Sequence, residues 1–100
     1  MMVKLAANIS MLFPELDFLD KYKAAADAGF KAVENLYPEG FEPEQLAEKL
    51  ATNGLQQALH NLPAGDWGAG DRGIACDPAR VGEFQDSVGR GIAMAKALNC

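Results

Sequence analysis

The chain has 100 residues, with 9 Lys or Arg against 14 Asp or Glu for a net charge of −5, and 49% of it is hydrophobic. That is the size and balance of one ordinary globular domain, and the acid surplus argues against nucleic acid or an anionic membrane as the main partner, because phosphate attraction needs Lys and Arg in excess. No apolar run approaches the roughly 20 residues that cross a bilayer.

Glycine and proline divide the chain into three similar units. Val3 to Ile9 is a short apolar run bounded by Asn8 and Ser10, which predicts a buried strand. A helix is expected from about Asp17 to Ala28, with Phe18, Leu19, Tyr22, Ala25 and Ala26 on one side. Gly29 then takes the left-handed position past its end. Phe30 to Leu36 reads as the second strand. Pro43 suits the first position of a second helix, with Glu42 as N-cap and Phe41 and Leu46 in the places of a hydrophobic staple. That helix runs to about Thr52, and Gly54 closes it.

Leu55 to Asn61 is the third predicted strand, followed by a long glycine-rich loop from Leu62 to Asp77. Asp77-Pro78 pairs a good N-cap with a good first helical residue. The third helix then carries the apolar stripe Val81, Phe84, Val88, Ile92, Ala95 and Leu98.

Strand–helix alternation with short connections implies an α/β fold with parallel strands and right-handed crossovers. Asn99-Cys100 has the character of Gly29-Phe30 and Gly54-Leu55, so a fourth strand is expected next. A parallel sheet needs helices on both faces or closure into a barrel, and three strands alone keep two open edges. Residues 1–100 are therefore expected to be the N-terminal portion of a single longer domain, with Met1 a true start and Cys100 short of the true end. The open edges also predict association into a homo-oligomer. The first eight residues lack the apolar stretch of a secretory signal. Cys76 and Cys100 make no disulfide framework, so a cytoplasmic location is expected.

In parallel α/β folds chemistry gathers beyond the C-terminal strand ends. Here those ends carry Asn8 and Ser10, Glu34 and Asn35, and His60 and Asn61. Glu34, read as buried, either orients a substrate hydroxyl, supports a metal ligand, or pairs with a basic residue of a neighbouring strand. His60, the only histidine, is a ligand or a hydrogen-bonded structural residue. No second His and no Cys stands at ligand spacing, so no transition-metal site is complete within the chain. The long loop, with Trp67 between Gly65, Gly68 and Gly70, reads as a lid with glycine hinges or as a plain surface loop. Its two acids, Asp66 and Asp71, argue against a phosphate cradle. The turn after the first strand has no glycine, which excludes the dinucleotide fingerprint. Cys76 reads as a structural cysteine.

Ala6-Ala-Asn-Ile-Ser-Met-Leu-Phe13, Ala28-Gly-Phe-Lys-Ala-Val-Glu34 and Asn61-Leu-Pro-Ala-Gly-Asp-Trp67 with Gly70-Asp-Arg-Gly-Ile-Ala75 resemble the opening of the hydroxypyruvate isomerase family. These are xylose-isomerase-like TIM barrels, and the closely similar 2-oxo-tetronate isomerases belong with them. The resemblance implies that the chain supplies the first three β/α units of a (β/α)8 barrel of about 250 residues. It also implies interconversion of hydroxypyruvate and 2-hydroxy-3-oxopropanoate (tartronate semialdehyde) through an enediol. Such a step needs an acid–base pair tuned toward neutral pH and an electrophile on the carbonyl oxygen. Mg2+ or Mn2+ would serve as that electrophile. Two catalytic glutamates and the metal ligands are implied on later strands, outside residues 1–100, so the isolated segment is expected to be inactive.

Within the chain, Asn8, Glu34, His60, Asn61, Trp67 and Arg72 are the expected pocket-lining or substrate-binding residues. The family tends to carry an aromatic where this chain has Asn35 and another where it has His60, so these positions bear on substrate preference. The partner expected is a small hydroxy-oxo acid. The alternatives are a 2-oxo-tetronate isomerase, a sugar epimerase or endonuclease-type member of the same superfamily, and a stand-alone α/β module holding a small ligand through the Trp67 loop.

Overall fold

The computed structural model describes residues 3–100; Met1, expected as the start, and Met2 lie outside the described residues. Strands β1 (Ala6–Asn8), β2 (Ala32–Asn35) and β3 (Gln56–His60) form one parallel sheet in the order β1-β2-β3. Helices α1 (Lys21–Asp27), α2 (Pro43–Thr52) and α3 (Val81–Leu98) alternate with them, giving the three β/α units expected. A short 3-10 turn at Phe18–Asp20 leads into α1, and another at Pro78–Arg80 leads into α3.

All three units close in the same way. Gly29 N–H donates to Ala26 and Phe30 N–H to Ala25, Gly54 to Ala51 and Leu55 to Leu50, and Asn99 to Lys96 and Cys100 to Ala95. These are paired Schellman bonds, and each needs a left-handed residue at the turn. Gly29, Gly54 and Asn99 supply it with φ of 98°, 64° and 52°.

The strands are shorter than the apolar runs suggested. Val3 is 77% exposed and Leu5 66% exposed, so the first run is not a buried strand from its beginning. The reason is the lack of a partner. The ladder pairs Ala6 with Ala32, and the residue at Phe30 is already committed to closing α1.

Ala7, Ile9 and Val33 from the sheet pack with Tyr22 and Ala25 of α1, Leu46 and Leu50 of α2, and Met94 and Leu98 of α3. The helices therefore cover one face. Strand alternation places Asn8 and its register partner Glu34 on the other face. The register slips by one residue between β2 and β3, so that Val33 pairs with Gln57 but Glu34 with Leu59.

The third helix is rotated from its expected stripe. Its buried residues are Ser87, Gly91, Met94 and Leu98, whereas Val81 and Ile92 are about half exposed. Gly91 explains the rotation, because Leu62 packs where a Cβ on Gly91 would sit. The helix start is as expected, with the Asp77 carboxylate accepting the Ala79 N–H at 2.9 Å. Glu42 precedes α2 without a side-chain cap bond, while Phe41 packs beside the core that holds Leu46. Cys76 and Cys100 are free and exposed, so Cys76 is not a packed core residue. Among the described residues no helix is long and apolar enough to cross a membrane.

Candidate functional site

Beyond the C-terminal strand ends lies a cavity of about 870 Å³. The β1 loop contributes Ser10, the approach to α1 contributes Phe18 and Lys21, and the β2 loop contributes Tyr37 and Phe41. The long loop adds Asn61, Trp67 and Arg72, and Phe84 of α3 closes one wall. The lining is mostly apolar and aromatic with a few polar groups, the usual make-up of a small-molecule site.

Ser10 is fixed from both sides. Its backbone N–H donates to Asn8 Oδ1 at 3.0 Å, and its Oγ accepts the Leu36 N–H at 2.9 Å. This ties the loop after β1 to the end of β2 and leaves the hydroxyl proton free to donate. Lys21 is buried, and its Nζ donates to the Ile9 carbonyl at 2.9 Å.

The long loop is braced from within. Asp66 caps a 3-10 turn at Trp67–Ala69 by accepting the Ala69 N–H at 3.1 Å. Arg72 lies with its guanidinium carbon 3.6 Å from the Trp67 ring centre, a close cation–π stack. One of its nitrogens donates to the carbonyls of Trp67 at 3.0 Å and Asp71 at 2.7 Å. Asp71 accepts the Asp66 N–H at 2.7 Å and a two-pronged grip from Arg80. Hydrogen bonding from Arg80 holds the Asp71 carboxyl down to about 2, and the same pairing raises Arg80 above its ordinary value. The glycine hinge expected at Gly65 is filled instead, since a Cβ there would meet Asp71 Oδ2 at 2.5 Å.

At the other rim Arg90 donates to Glu39 at 3.0 Å and sits over the Tyr37 ring at 5.1 Å. Hydrogen bonding to Glu39 raises Arg90 above its ordinary value.

Of the six residues expected to line a pocket, the cavity brings together Asn61, Trp67 and Arg72. Asn8 and Glu34 meet each other instead, with Asn8 Nδ2 donating to Glu34 Oε1 at 3.4 Å on the face away from the helices. Glu34 is half-buried, and among the described residues it makes no ion pair with Lys or Arg. His60 packs edge-on to Tyr37 with ring centres 6.2 Å apart, and its Nδ1 lies 3.0 Å from the Asn61 carbonyl. Asn35 is buried and accepts from Gln57 Nε2 at 2.7 Å.

Ser10, one of the polar strand-end residues, also lines the cavity, and Lys21 and Tyr37 join it without having been expected there. Lys21 had a readable signal, because it falls inside the apolar arc of Phe18, Tyr22 and Ala25. Among the described residues no three His, Cys, Asp or Glu side chains group to hold a metal ion. The cavity can therefore offer aromatic walls, hydroxyl and amide hydrogen bonds, the positive charge of Lys21 and Arg72, and the Glu39 carboxylate held by Arg90.

No family model matches the chain. It is 52% identical over 97 residues to the hydroxypyruvate isomerase of Escherichia coli K12, covering 97% of this chain and 38% of that protein. It is 46% identical over 99 residues to a 2-oxo-tetronate isomerase of Pectobacterium atrosepticum, covering 99% of this chain and 38% of the relative. A putative hydroxypyruvate isomerase of Homo sapiens is 38% identical over 99 residues. Among solved structures, the crystal structure of AP endonuclease, family 2 from Brucella melitensis superposes with a TM-score of 0.95 at 43% identity, over 99% of this chain and 38% of that one. The chain thus spans about 38% of the length of these relatives. The resemblance read from the sequence holds along nearly all of it, and so does the α/β barrel-type fold.

Proposed function

We propose that the protein carrying these residues, like the hydroxypyruvate isomerases it resembles, interconverts hydroxypyruvate and 2-hydroxy-3-oxopropanoate. The reaction balances without an oxidant. A proton leaves C3 of hydroxypyruvate, the C2 carbonyl oxygen takes up a proton, and the enediol is formed. Proton return to C2 with loss of the C3 hydroxyl proton then gives the aldehyde. The observation that carries this reading is the 52% identity over 97 residues, which includes every loop around the cavity.

In this reading the chain builds the part of the pocket that receives and orients substrate. Arg72, flattened on Trp67, meets the carboxylate with its remaining N–H donors. The Ser10 hydroxyl and the Asn61 amide are the polar groups available to the hydroxyl and carbonyl oxygens. The Trp67 ring excludes water from one side. Asn8 and Glu34, paired on the opposite face of the sheet, line its approach from the barrel side. The acid–base pair, and the ligands that would hold Mg2+ or Mn2+ as carbonyl electrophile, are assigned in this reading to residues outside this chain. A cytoplasmic location and assembly into a homo-oligomer belong to the same proposal.

The test is an NMR assay of the native protein with hydroxypyruvate in D2O. Appearance of the aldehyde hydrate, with deuterium at C2, is expected. No conversion of hydroxypyruvate, with turnover of a four-carbon 2-oxo acid instead, would move the assignment to the 2-oxo-tetronate isomerases.

A further inference from the structure

We infer that Lys21 is a second residue that binds the substrate's acid group, holding it behind Arg72, and so restricts the site to small oxo- and hydroxycarboxylates. This rests on the isomerase reading above.

Lys21 is only 8% exposed and lines the cavity. Its ammonium spends one donor on the Ile9 carbonyl at 2.9 Å, which leaves two of its three N–H groups. Among the described residues no carboxylate pairs with it. Glu39 lines the same cavity but its carboxylate is committed to Arg90 at 3.0 Å, and Asp71, in the loop behind the wall, is committed to Arg80 at 2.8 Å. Lys23, two residues along the same helix, shows the ordinary alternative: it is exposed and pairs with Asp27 at 2.7 Å.

A buried ammonium without a counter-charge is costly, and an apolar side chain would fill the same space without that cost. An anion entering the cavity supplies the missing charge and two acceptors. Burial also makes the contact strong, because water competes poorly there. Arg72 differs in being exposed at the rim of the same cavity. The two cations thus divide the task, with Arg72 capturing the anion and Lys21 holding it.

The experiment uses the native protein and its Lys21→Gln and Lys21→Arg variants. Gln keeps a donor for the Ile9 carbonyl and removes the charge; Arg keeps the charge. Three ligands are compared: hydroxypyruvate for turnover, the unreactive dicarboxylate tartronate for binding, and dihydroxyacetone, which lacks the carboxylate. Loss of a charged hydrogen-bonding partner predicts a roughly 10- to 100-fold rise in KM for hydroxypyruvate and in Kd for tartronate with Lys21→Gln. The affinity for dihydroxyacetone should stay near wild type, and Lys21→Arg should retain most of the tartronate affinity. An unchanged tartronate Kd in a folded Lys21→Gln protein would overturn the inference, as would an equal loss for dihydroxyacetone, which marks a structural role. A wild-type protein that binds tartronate through Lys21 but never converts hydroxypyruvate would leave Lys21 standing and sink the isomerase reading alone.

Discussion

Arg80 closes two hydrogen bonds, of 3.0 and 2.8 Å, on the carboxylate of Asp71. Asp71 in turn accepts the backbone N–H of Asp66 at 2.7 Å. The 3-10 turn that leads into α3 therefore braces the loop that carries Trp67 and Arg72, and the shape of the cavity wall is inherited from the start of a helix. Arg80 is itself oriented by Glu83 at 2.8 Å. Fixing a binding loop in this way reduces the ordering cost when ligand arrives.

This bracing sets an acid limit for the loop. The Asp71 carboxyl is held at about 2 instead of its ordinary 3.8, chiefly by Arg80. A carboxyl lowered in the folded protein stabilises it above the ordinary value, and that contribution is lost as pH falls through about 2. The amide signals of Asp66 and Ala69 should keep their folded shifts at pH 4 and move only near pH 2. A midpoint near 4 would show that the grip is absent in solution. Asp71→Asn should speed amide exchange across residues 64–73 while leaving α3 protected.

Glycine substitutions should differ in sign by position. Gly65 has φ of 90°, and a Cβ there would meet Asp71 Oδ2 at 2.5 Å and Ile74 Cγ2 at 2.9 Å. Gly65→Ala should cost about 1–3 kcal/mol. Gly89 lies within α3 with nothing within 4 Å of its would-be Cβ, so Gly89→Ala should gain up to about 1 kcal/mol. Urea unfolding of the two variants checks both signs.

Tyr22 is fully buried, and its hydroxyl has no hydrogen-bond partner among the described residues. Burial pushes the phenol up to about 12 from 10.0. Because the folded value is raised, the contribution is complete below the unfolded value and is lost as pH rises from about 10 to about 12. A shift of that size corresponds to roughly 2–3 kcal/mol. Tyr22→Phe should remove this alkaline loss and match or exceed wild-type stability at pH 7. A Tyr22→Phe protein that melts well below wild type would reveal a partner for the hydroxyl.

Arg72→Ala should raise KM for hydroxypyruvate by on the order of tenfold, because it removes a charged partner at an exposed rim. Arg72→Lys should recover only part of this, since an ammonium cannot stack flat on Trp67. Equal KM values in all three proteins would remove Arg72 from the site.

Much of the fold was legible because its signals are local. Gly29, Gly54 and Asn99 closed their helices as read, since a Schellman turn depends on one left-handed residue and its neighbours. The strand limits were not legible, because a strand ends where its partner does, and nothing near Val3 announces that Phe30 is occupied elsewhere. The stripe on α3 misled because Gly91 and Ser87 bury by closeness of approach, which hydrophobic periodicity does not count. At the site, Asn61, Trp67 and Arg72 share one distinctive block and emerged together. Lys21 carried one signal, its place inside the apolar arc of Phe18, Tyr22 and Ala25, and a lysine at the solvated edge of a helix gives that pattern equally. The split of Asn8 and Glu34 from the cavity depends on strand pleat, which a shift of one residue reverses.

The most direct measurement is a crystal structure of the native protein with tartronate bound. The dicarboxylate should lie in the cavity beyond the strand ends, with one carboxylate on Lys21 and Arg72 beside the Trp67 ring. Tartronate seated elsewhere, with this cavity empty in a protein that still converts hydroxypyruvate, would contradict this placement.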